Sequence, residues 1–236
     1  MQGLIVAAGQ GLRLRDVASS KPLAPVNGVP LIERVIDNAH NGGVTEFVVV
    51  TGYEAARVEV FLERLAARKH LSIATIHNPD WTLANGLSVA AAEPLLAERF
   101  LLMMADHLVE PTIYADLAAR PLAADEVVLA VDRRLGNPLV DLDDVTRVRT
   151  DGEGRILAIA KFLEPYDAFD TGVFLASRAL PRAVREDVNA GGTGGISEGM
   201  RRLAAAGLAH TFDIGDRFWL DVDDPTAHAH AERARA

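Results

Sequence analysis

The segment richest in chemistry is the first: Ile5-Val6-Ala7-Ala8-Gly9-Gln10-Gly11-Leu12-Arg13-Leu14, then Lys21-Pro22-Leu23. Glycines placed directly after an apolar strand let backbone N–H groups turn toward an anion. Arg13 offers a planar fork for phosphate oxygens, and Lys21 a mobile point charge further along. It is neither common phosphate loop, because position 14 is Leu14 where a Rossmann fingerprint needs Gly, and no Gly-Lys-Ser/Thr follows. On the glycines alone, an ordinary strand-to-helix turn with basic surface residues is the better reading. Asp106 ends the apolar run Leu101-Leu102-Met103-Met104-Ala105. A carboxylate at the end of a buried strand is desolvated on one side and needs a partner. A hard cation such as Mg²⁺ suits it, and the ordinary alternative is a cap on the next turn. Lys161 lies between Ala160 and Phe162 in a chain with only three lysines, the others being Lys21 and Lys69. So placed, it is expected to meet an anion or to snorkel at the surface. Asn78-Pro79-Asp80-Trp81 and Asn85-Gly86-Leu87-Ser88 flank a helix start, where Asn85 fits an N-cap.

The elements that must position these residues follow from periodicity. Strands are predicted over 3–8, 47–51, 71–77 and 99–105, and helices over 30–41, 54–68 and 85–97, ending in Gly42-Gly43 for the first. This alternation implies a doubly wound, mostly parallel sheet, with ligands at the carboxyl ends of strands, where Gly9 and Asp106 fall. After about Pro121 the rhythm changes. Strands are predicted over 127–132, 145–150, 156–162, 170–176 and 210–214, with an extended segment at 218–222. Asp151-Gly152-Glu153-Gly154 forms a hairpin turn. Helices return over 180–186 and 197–206 and from Pro225. With no Ser/Pro-rich linker and no internal repeat, the 236 residues are expected to form a single domain.

Composition removes several function classes. The chain has no cysteine, which excludes disulfides, thiol nucleophiles, iron–sulfur clusters and Cys-based zinc sites. Its 24 Lys and Arg against 33 Asp and Glu give a net charge of −9, a poor match for nucleic acid or an anionic membrane. No apolar run approaches the roughly 20 residues of a membrane span. The start lacks a basic leader and reads as a strand, so a cytoplasmic protein is expected. Ser19-Ser20 lacks the His and Asp company of a hydrolase nucleophile. His228 and His230, two apart, do not share a helix face. The Gly-rich stretch 189–195 is either a lid or a flexible connection.

Together the Ala-Ala-Gly-x-Gly-x-Arg-Leu loop, Lys21-Pro22-Leu23 and Gly28-Val29-Pro30-Leu31-Ile32 resemble the start of the sugar-phosphate nucleotidyltransferases. The resemblance implies a Rossmann-like three-layer α/β/α (GT-A-like) fold around a mixed, mostly parallel sheet. It further implies that the loop, with Ala7, Ala8, Gly9 and Gly11, wraps an NTP triphosphate that Arg13 and Lys21 neutralise. Residues 1–120 would then be the NTP-binding half, and 121–236 an acceptor-binding half that completes the metal site. Asn78, Asn85, Gly86 and Ser88 resemble the family's base-reading stretch, a role compatible with a cap. Trp219-Leu220-Asp221-Val222-Asp223-Asp224-Pro225 is similar to the family's closing element. It implies that Asp106 binds Mg²⁺ with Asp221, Asp223 close behind it, while Asp224 caps the last helix.

In the family a lysine at the place of Lys161 meets the acceptor's phosphate. Asp132, Glu164 and Asp170 are candidate hydroxyl acceptors, with Thr171 and the flexible Gly172 beside them. Val140-Asp141-Leu142-Asp143-Asp144 and 166–172 resemble the branch that joins CTP to inositol 1-phosphate. The expected activity is therefore Mg²⁺-dependent nucleotidyl transfer from an NTP, CTP favoured, to a phosphorylated polyol, with pyrophosphate released. Alternatives are a phosphocholine or aminoethylphosphonate cytidylyltransferase, a sugar-1-phosphate uridylyl- or guanylyltransferase, or a nucleotide-sensing domain without catalysis. A glycosyltransferase would show Asp-x-Asp at the central strand end, where this chain has Asp106-His107-Leu108. A homodimer through strands of the second half is also expected.

Overall fold

The computed structural model describes residues 1–234. The apolar run after Met1 forms β1 (Gln2–Ala7), and its middle is buried on both faces, as an unbroken hydrophobic strand requires. Two 3-10 turns (Leu12–Leu14 and Lys21–Leu23) and the small ribbon of β2 (Pro25–Val26) and β3 (Val29–Pro30) carry the chain onward. Then come α1 (Leu31–Asn41), β4 (Glu46–Thr51), α2 (Ala55–Lys69), β5 (Ser72–His77), α3 (Gly86–Ala92) and β6 (Arg99–Met104). The second half holds β7 (His107–Val109), α4 (Pro111–Ala119), β8 (Val127–Asp132), β9 (Arg147–Thr150), β10 (Ile156–Ala160) and β11 (Ala168–Ser177). It closes with α5 (Ala179–Asn189), α6 (Ile196–Ala205), β12 (Ala209–Asp213), β13 (Trp219–Asp221) and α7 (Pro225–Arg233).

One nine-stranded sheet runs through both halves. The first-half strands lie parallel in the order β6-β1-β4-β5. Strand β11 joins antiparallel beside β6, with β8 and β9 antiparallel to β11, β10 beyond β9, and β12 parallel to β8. Alternation along β1 sends Ile5 to a core with Ile32 of α1, Leu62 of α2 and Tyr114 of α4. Its neighbour Leu4 faces Val89 of α3, Leu180 of α5 and Met200 of α6 on the opposite side. That is the expected three-layer α/β/α arrangement. No helix among the described residues is long and apolar enough to cross a membrane.

Three differences from the sequence reading have local causes. The helix expected over 85–97 ends at Ala92 and tightens into a 3-10 turn at Glu93–Leu95, because Pro94 has no N–H to continue the ladder. Strand β10 stops at Ala160, so Lys161 and Phe162 stand in a turn and Phe162 is 83% exposed. The stretch after Asp106 contains β7 and α4, which periodicity missed. Strand β7 is three residues long and pairs only with the distant β13, and Pro111 starts α4 at the position where a missing N–H costs nothing.

Candidate active site

Parallel pairing of β1 with β6 puts their carboxyl ends side by side, with Val6 opposite Met104. The loop after β1 and Asp106 therefore meet at one end of the sheet. A cavity of 540 Å³ lies there, lined by Ala7, Gly9, Gly11, Arg13, Lys21, Asp106 and Asp223. Gly11 has φ +60°, and a Cβ on it would overlap the Lys21 stem. The glycine is thus what lets Lys21 pass beneath the loop, 6% exposed, to place its Nζ 2.5 Å from Asp106 Oδ2 and against Asp223 Oδ1. Gly11→Ala combines a left-handed backbone with the loss of that passage. The left-handed geometry alone costs about 1–2 kcal/mol for an L-residue. A nucleotide KM raised by about tenfold or more is expected, with a lowered melting temperature; an unchanged KM would show that the loop does not carry the nucleotide.

The carboxylates are held by backbone pairing between distant segments. Strand β7 runs antiparallel to β13 with His107 opposite Asp221, and the Val222 N–H donates to the Asp106 carbonyl at 3.0 Å. His107 hydrogen-bonds the Thr171 carbonyl through Nδ1 at 2.8 Å and turns Nε2 toward Asp221 Oδ2 at 3.4 Å and Asp106 Oδ1 at 3.6 Å. Burial alone would pull this imidazole down. Asp221, Asp106 and the Thr171 carbonyl override that and push it up to about 10. Burial would likewise raise Asp106, but the Lys21 ammonium and His107 hold it below the usual carboxylate range. Ligand atoms of Asp106, His107 and Asp221 lie within 4.8 Å of one another, as do those of Asp144, Asp221 and Asp223. Asp221 belongs to both groups, and its Oδ1 is buried without a hydrogen-bond partner. An unpartnered carboxylate oxygen among hard oxygen donors is what a divalent cation would use.

A second cavity, of 320 Å³, opens on the other side of the same carboxylates. Leu139, Val140 and Phe174 give it apolar walls, while Asp141, Asp144, Lys161 and Asp170 bring charge. Burial pushes the Asp170 carboxyl up to about 6, against the Gly172 N–H that donates to it at 2.7 Å. Gly172, at φ +75°, leaves the space that the His107 ring occupies. Asp144 links the two cavities by pairing with Arg13 through one oxygen and Lys161 through the other. Burial opposes its charge, but hydrogen bonds from Lys161 and Arg13 keep it below the usual range.

Of the residues singled out in the sequence, Arg13, Lys21, Asp106, Lys161, Asp170, Gly172, Asp221 and Asp223 come together around these two cavities. Others do not. Asn78 and Ser88 are buried and bonded to each other, Nδ2 to Oγ at 3.0 Å, so neither side chain is free for a base. Asn85 does not cap its own helix. Its Oδ1 accepts from the Ile196 N–H at 3.1 Å, at the start of α6, and the residue lines the second cavity. Gly86 is buried under the Gly194 carbonyl, where a Cβ could not fit, so its role is close packing. Ala8 points into the core beneath α3 and bonds Tyr53 through its carbonyl. Asp132 is 0% exposed with both oxygens hydrogen-bonded. Thr171 is buried and donates to the Ala130 carbonyl at 2.9 Å. Glu164 is turned outward against Arg147. None of these three lines the second cavity. Asp224 caps α7, accepting from the Ala227 N–H at 2.7 Å as expected.

Asp144 was not singled out. The sequence marks 140–144 as acidic but cannot choose among its carboxylates. A tight turn in which the Val145 N–H reaches the Asp141 carbonyl at 2.9 Å makes the choice.

A mixed sheet carrying a glycine loop, a strand-end aspartate and a returning Asp-x-Asp segment is an architecture that suits a nucleotidyltransferase. Residues 3–157 match the MobA-like NTP transferase domain, and the chain belongs to that family. It is 36% identical over 226 residues, 94% of its length, to the bifunctional IPC transferase and DIPP synthase of Rubrobacter xylanophilus, and covers 49% of that protein. It is 31% identical, over 98% of its length and 38% of the relative's, to the CMP-5'-(3-aminopropyl)phosphonate synthase of Streptomyces rubellomurinus. The chain thus spans about half or less of these curated relatives. Its fold is shared with the inositol-1-phosphate CTP transferase from T. maritima, at TM-score 0.84 and 23% identity over 100% of this chain and 97% of that one. A UDP-glucose pyrophosphorylase is also similar, at TM-score 0.79 and 17% identity over 98% and 97%.

Proposed function

We propose that this nucleotidyltransferase joins CMP, from CTP, to a phosphorylated polyol such as inositol 1-phosphate and releases pyrophosphate. The observation that carries this reading is the line of cations Lys21, Arg13 and Lys161, which runs from one cavity to the other and is joined through Asp144 and Asp223. Arg13 and Lys21 lie where an NTP triphosphate would be neutralised, and Lys161 where the acceptor's phosphate would be drawn in. An acceptor phosphate oxygen attacks the α-phosphorus in line, a bond forms there, and the bond to the leaving pyrophosphate breaks. Such chemistry needs positioning and charge neutralisation more than a protein nucleophile. Asp106 and Asp221 would hold Mg²⁺, which when bound supplies positive charge to phosphate oxygens, while Asp223 beside them anchors Lys21 and Arg13. The acidic second cavity, with Asp170 and Asp141, offers acceptors for polyol hydroxyls. The shared fold of the T. maritima inositol-1-phosphate CTP transferase supports CTP and inositol 1-phosphate, the similarity to a CMP-phosphonate synthase supports a cytidylyl group, and the cytoplasm is where such an NTP pool is found.

The same carboxylates also favour an aminoalkylphosphonate, whose ammonium they would pair with, as the similarity to the phosphonate synthase suggests. The test is pyrophosphate release with each NTP against inositol 1-phosphate, aminoalkylphosphonates, phosphocholine and sugar 1-phosphates. CTP with inositol 1-phosphate is expected to give the highest kcat/KM. A higher value with an aminoalkylphosphonate would reassign the acceptor, and no release with any pair would overturn the transferase reading.

A further inference from the structure

The Asp132 carboxylate sits at the end of β8, wholly out of solvent, and takes hydrogen bonds from three side chains. Arg134 donates to Oδ1 from its backbone N–H and its Nε, both at 2.8 Å, and to Oδ2 from Nη2 at 3.0 Å. Asn137 Nδ2 and Trp219 Nε1 each donate to Oδ2 at 2.8 Å. Burial alone would push this carboxyl up, yet the three donors hold it below the usual range.

Two of the donors begin segments that bear chemistry, and the third ties into one of them. Trp219 opens β13 and lies two residues before Asp221, on the same face of the strand, with its ring 6.3 Å from that of His107. Asn137 starts the loop that delivers Val140, Asp141 and Asp144 to the second cavity, accepting the Leu139 N–H at 3.0 Å. Arg134 also donates to the Arg217 carbonyl at 2.9 Å, just ahead of β13. For stability alone, an apolar group of similar size would serve a buried position as well as a carboxylate. What a carboxylate adds is several directed acceptor sites, here shared between two segments that the chain separates by about eighty residues.

We propose that Asp132 is a positioning residue that fixes the carboxylate-bearing strand β13 and the acceptor loop 137–146 against one another. It touches neither substrate. It sets the distance between the group that attacks and the charges that receive the leaving phosphates. The proposal rests on the nucleotidyl-transfer reading for its kinetic consequence but not for its structural one, and the two are measured separately.

The structural measurement is amide hydrogen exchange on the substrate-free protein. Trp219→Phe keeps an aromatic ring in the place of the indole and removes its N–H donor, so exchange should rise over 217–223 alone. Asn137→Leu should raise it over 137–146 alone. Asp132→Asn, which turns an amide N–H toward donors, should raise both, with the loop at 9–24 unchanged. In kinetics, outer partners of this kind are worth about 10- to 100-fold. Trp219→Phe should raise the Mg²⁺ concentration for half-activation by about tenfold, Asn137→Leu the acceptor KM by about tenfold, and Asp132→Asn both, with nucleotide KM unmoved. The two single-arm variants keep the test decisive where Asp132→Asn fails to fold. Exchange rising throughout the chain in any of them, with all kinetic constants falling together, would overturn the proposal. The segmental exchange pattern in a protein inactive with every substrate would uphold the pivot while rejecting the transfer reading.

Discussion

Replacing Lys21 with Met is expected to lower kcat/KM for the nucleotide by about 10²- to 10³-fold, the loss of roughly 3–4 kcal/mol that removing a preorganised charge brings. The side chain is 6% exposed and its ammonium lies between Asp106 and Asp223, so its direction is imposed by the fold. Met fills the same passage under Gly11 but removes the cation between the two carboxylates, leaving Asp223 with Arg13 alone. A triphosphate entering that cavity would meet two carboxylates with no ammonium between them, one more unit of negative charge than it meets now. Lys21→Arg should recover little, because a guanidinium fork is wider than the passage and demands planar partners. Steady-state kinetics with saturating acceptor measure the effect. A Lys21→Met enzyme within about threefold of the wild type would remove Lys21 from the nucleotide site.

Why Lys21 could be found in the sequence, and Asp144 could not, has a physical explanation. The N-terminal loop is local. Its glycines, Arg13 and Lys21 lie within one strand-to-helix connection, so the chain order of the residues is close to their order in space. The same holds for Asp106, whose place follows from the apolar run before it, and for the two core layers, which period-2 strands and 3.6-period helices define. Asp144 acquires its role from Arg13 and Lys161, which approach it from 131 residues upstream and from the turn after β10. Asn78 and Ser88 illustrate the converse. Both have the chemistry of a base-reading pair and lie in the expected segment, but the packing of α3 against the end of β5 closes them into a bond with each other. Asp132, a candidate hydroxyl acceptor by resemblance, ends β8 much as Asp106 follows β6. The difference is made by Trp219 and Asn137, one of them contributed from 87 residues further along the chain. Short-range pattern therefore disclosed the strand ends, and only tertiary contact could say which strand-end acid faces a cavity and which is enclosed.

The same distinction separates Asp221 from Asp223, which the sequence places on one face of one segment. Both oxygens of Asp223 are committed to cations, Oδ1 to Lys21 and Oδ2 to Arg13. Asp221 has Oδ1 buried without a partner and Oδ2 3.4 Å from the His107 Nε2. It is also the carboxylate common to both acidic groups. Asp221→Asn is therefore expected to lower kcat by about 10²- to 10³-fold at a fixed Mg²⁺ concentration and to raise the Mg²⁺ needed for half-activation by tenfold or more. The amide cannot restore the site. With His107 pushed up to about 10, its Nε2 carries a proton, so an amide that turns its oxygen to that N–H points its own N–H at the position a cation would take. Asp223→Asn should behave differently, freeing Lys21 and Arg13 from one of their shared anchors and raising the nucleotide KM by about tenfold, with the Mg²⁺ requirement nearly unchanged. Mn²⁺ binding followed by the loss of its free paramagnetic signal gives the same comparison without turnover. Should Asp223→Asn carry the metal dependence and Asp221→Asn the nucleotide KM, the assignment would be reversed. Asp223 would then have to exchange its two cations for a metal ion whenever the nucleotide arrives, and Lys21 would move with every turnover.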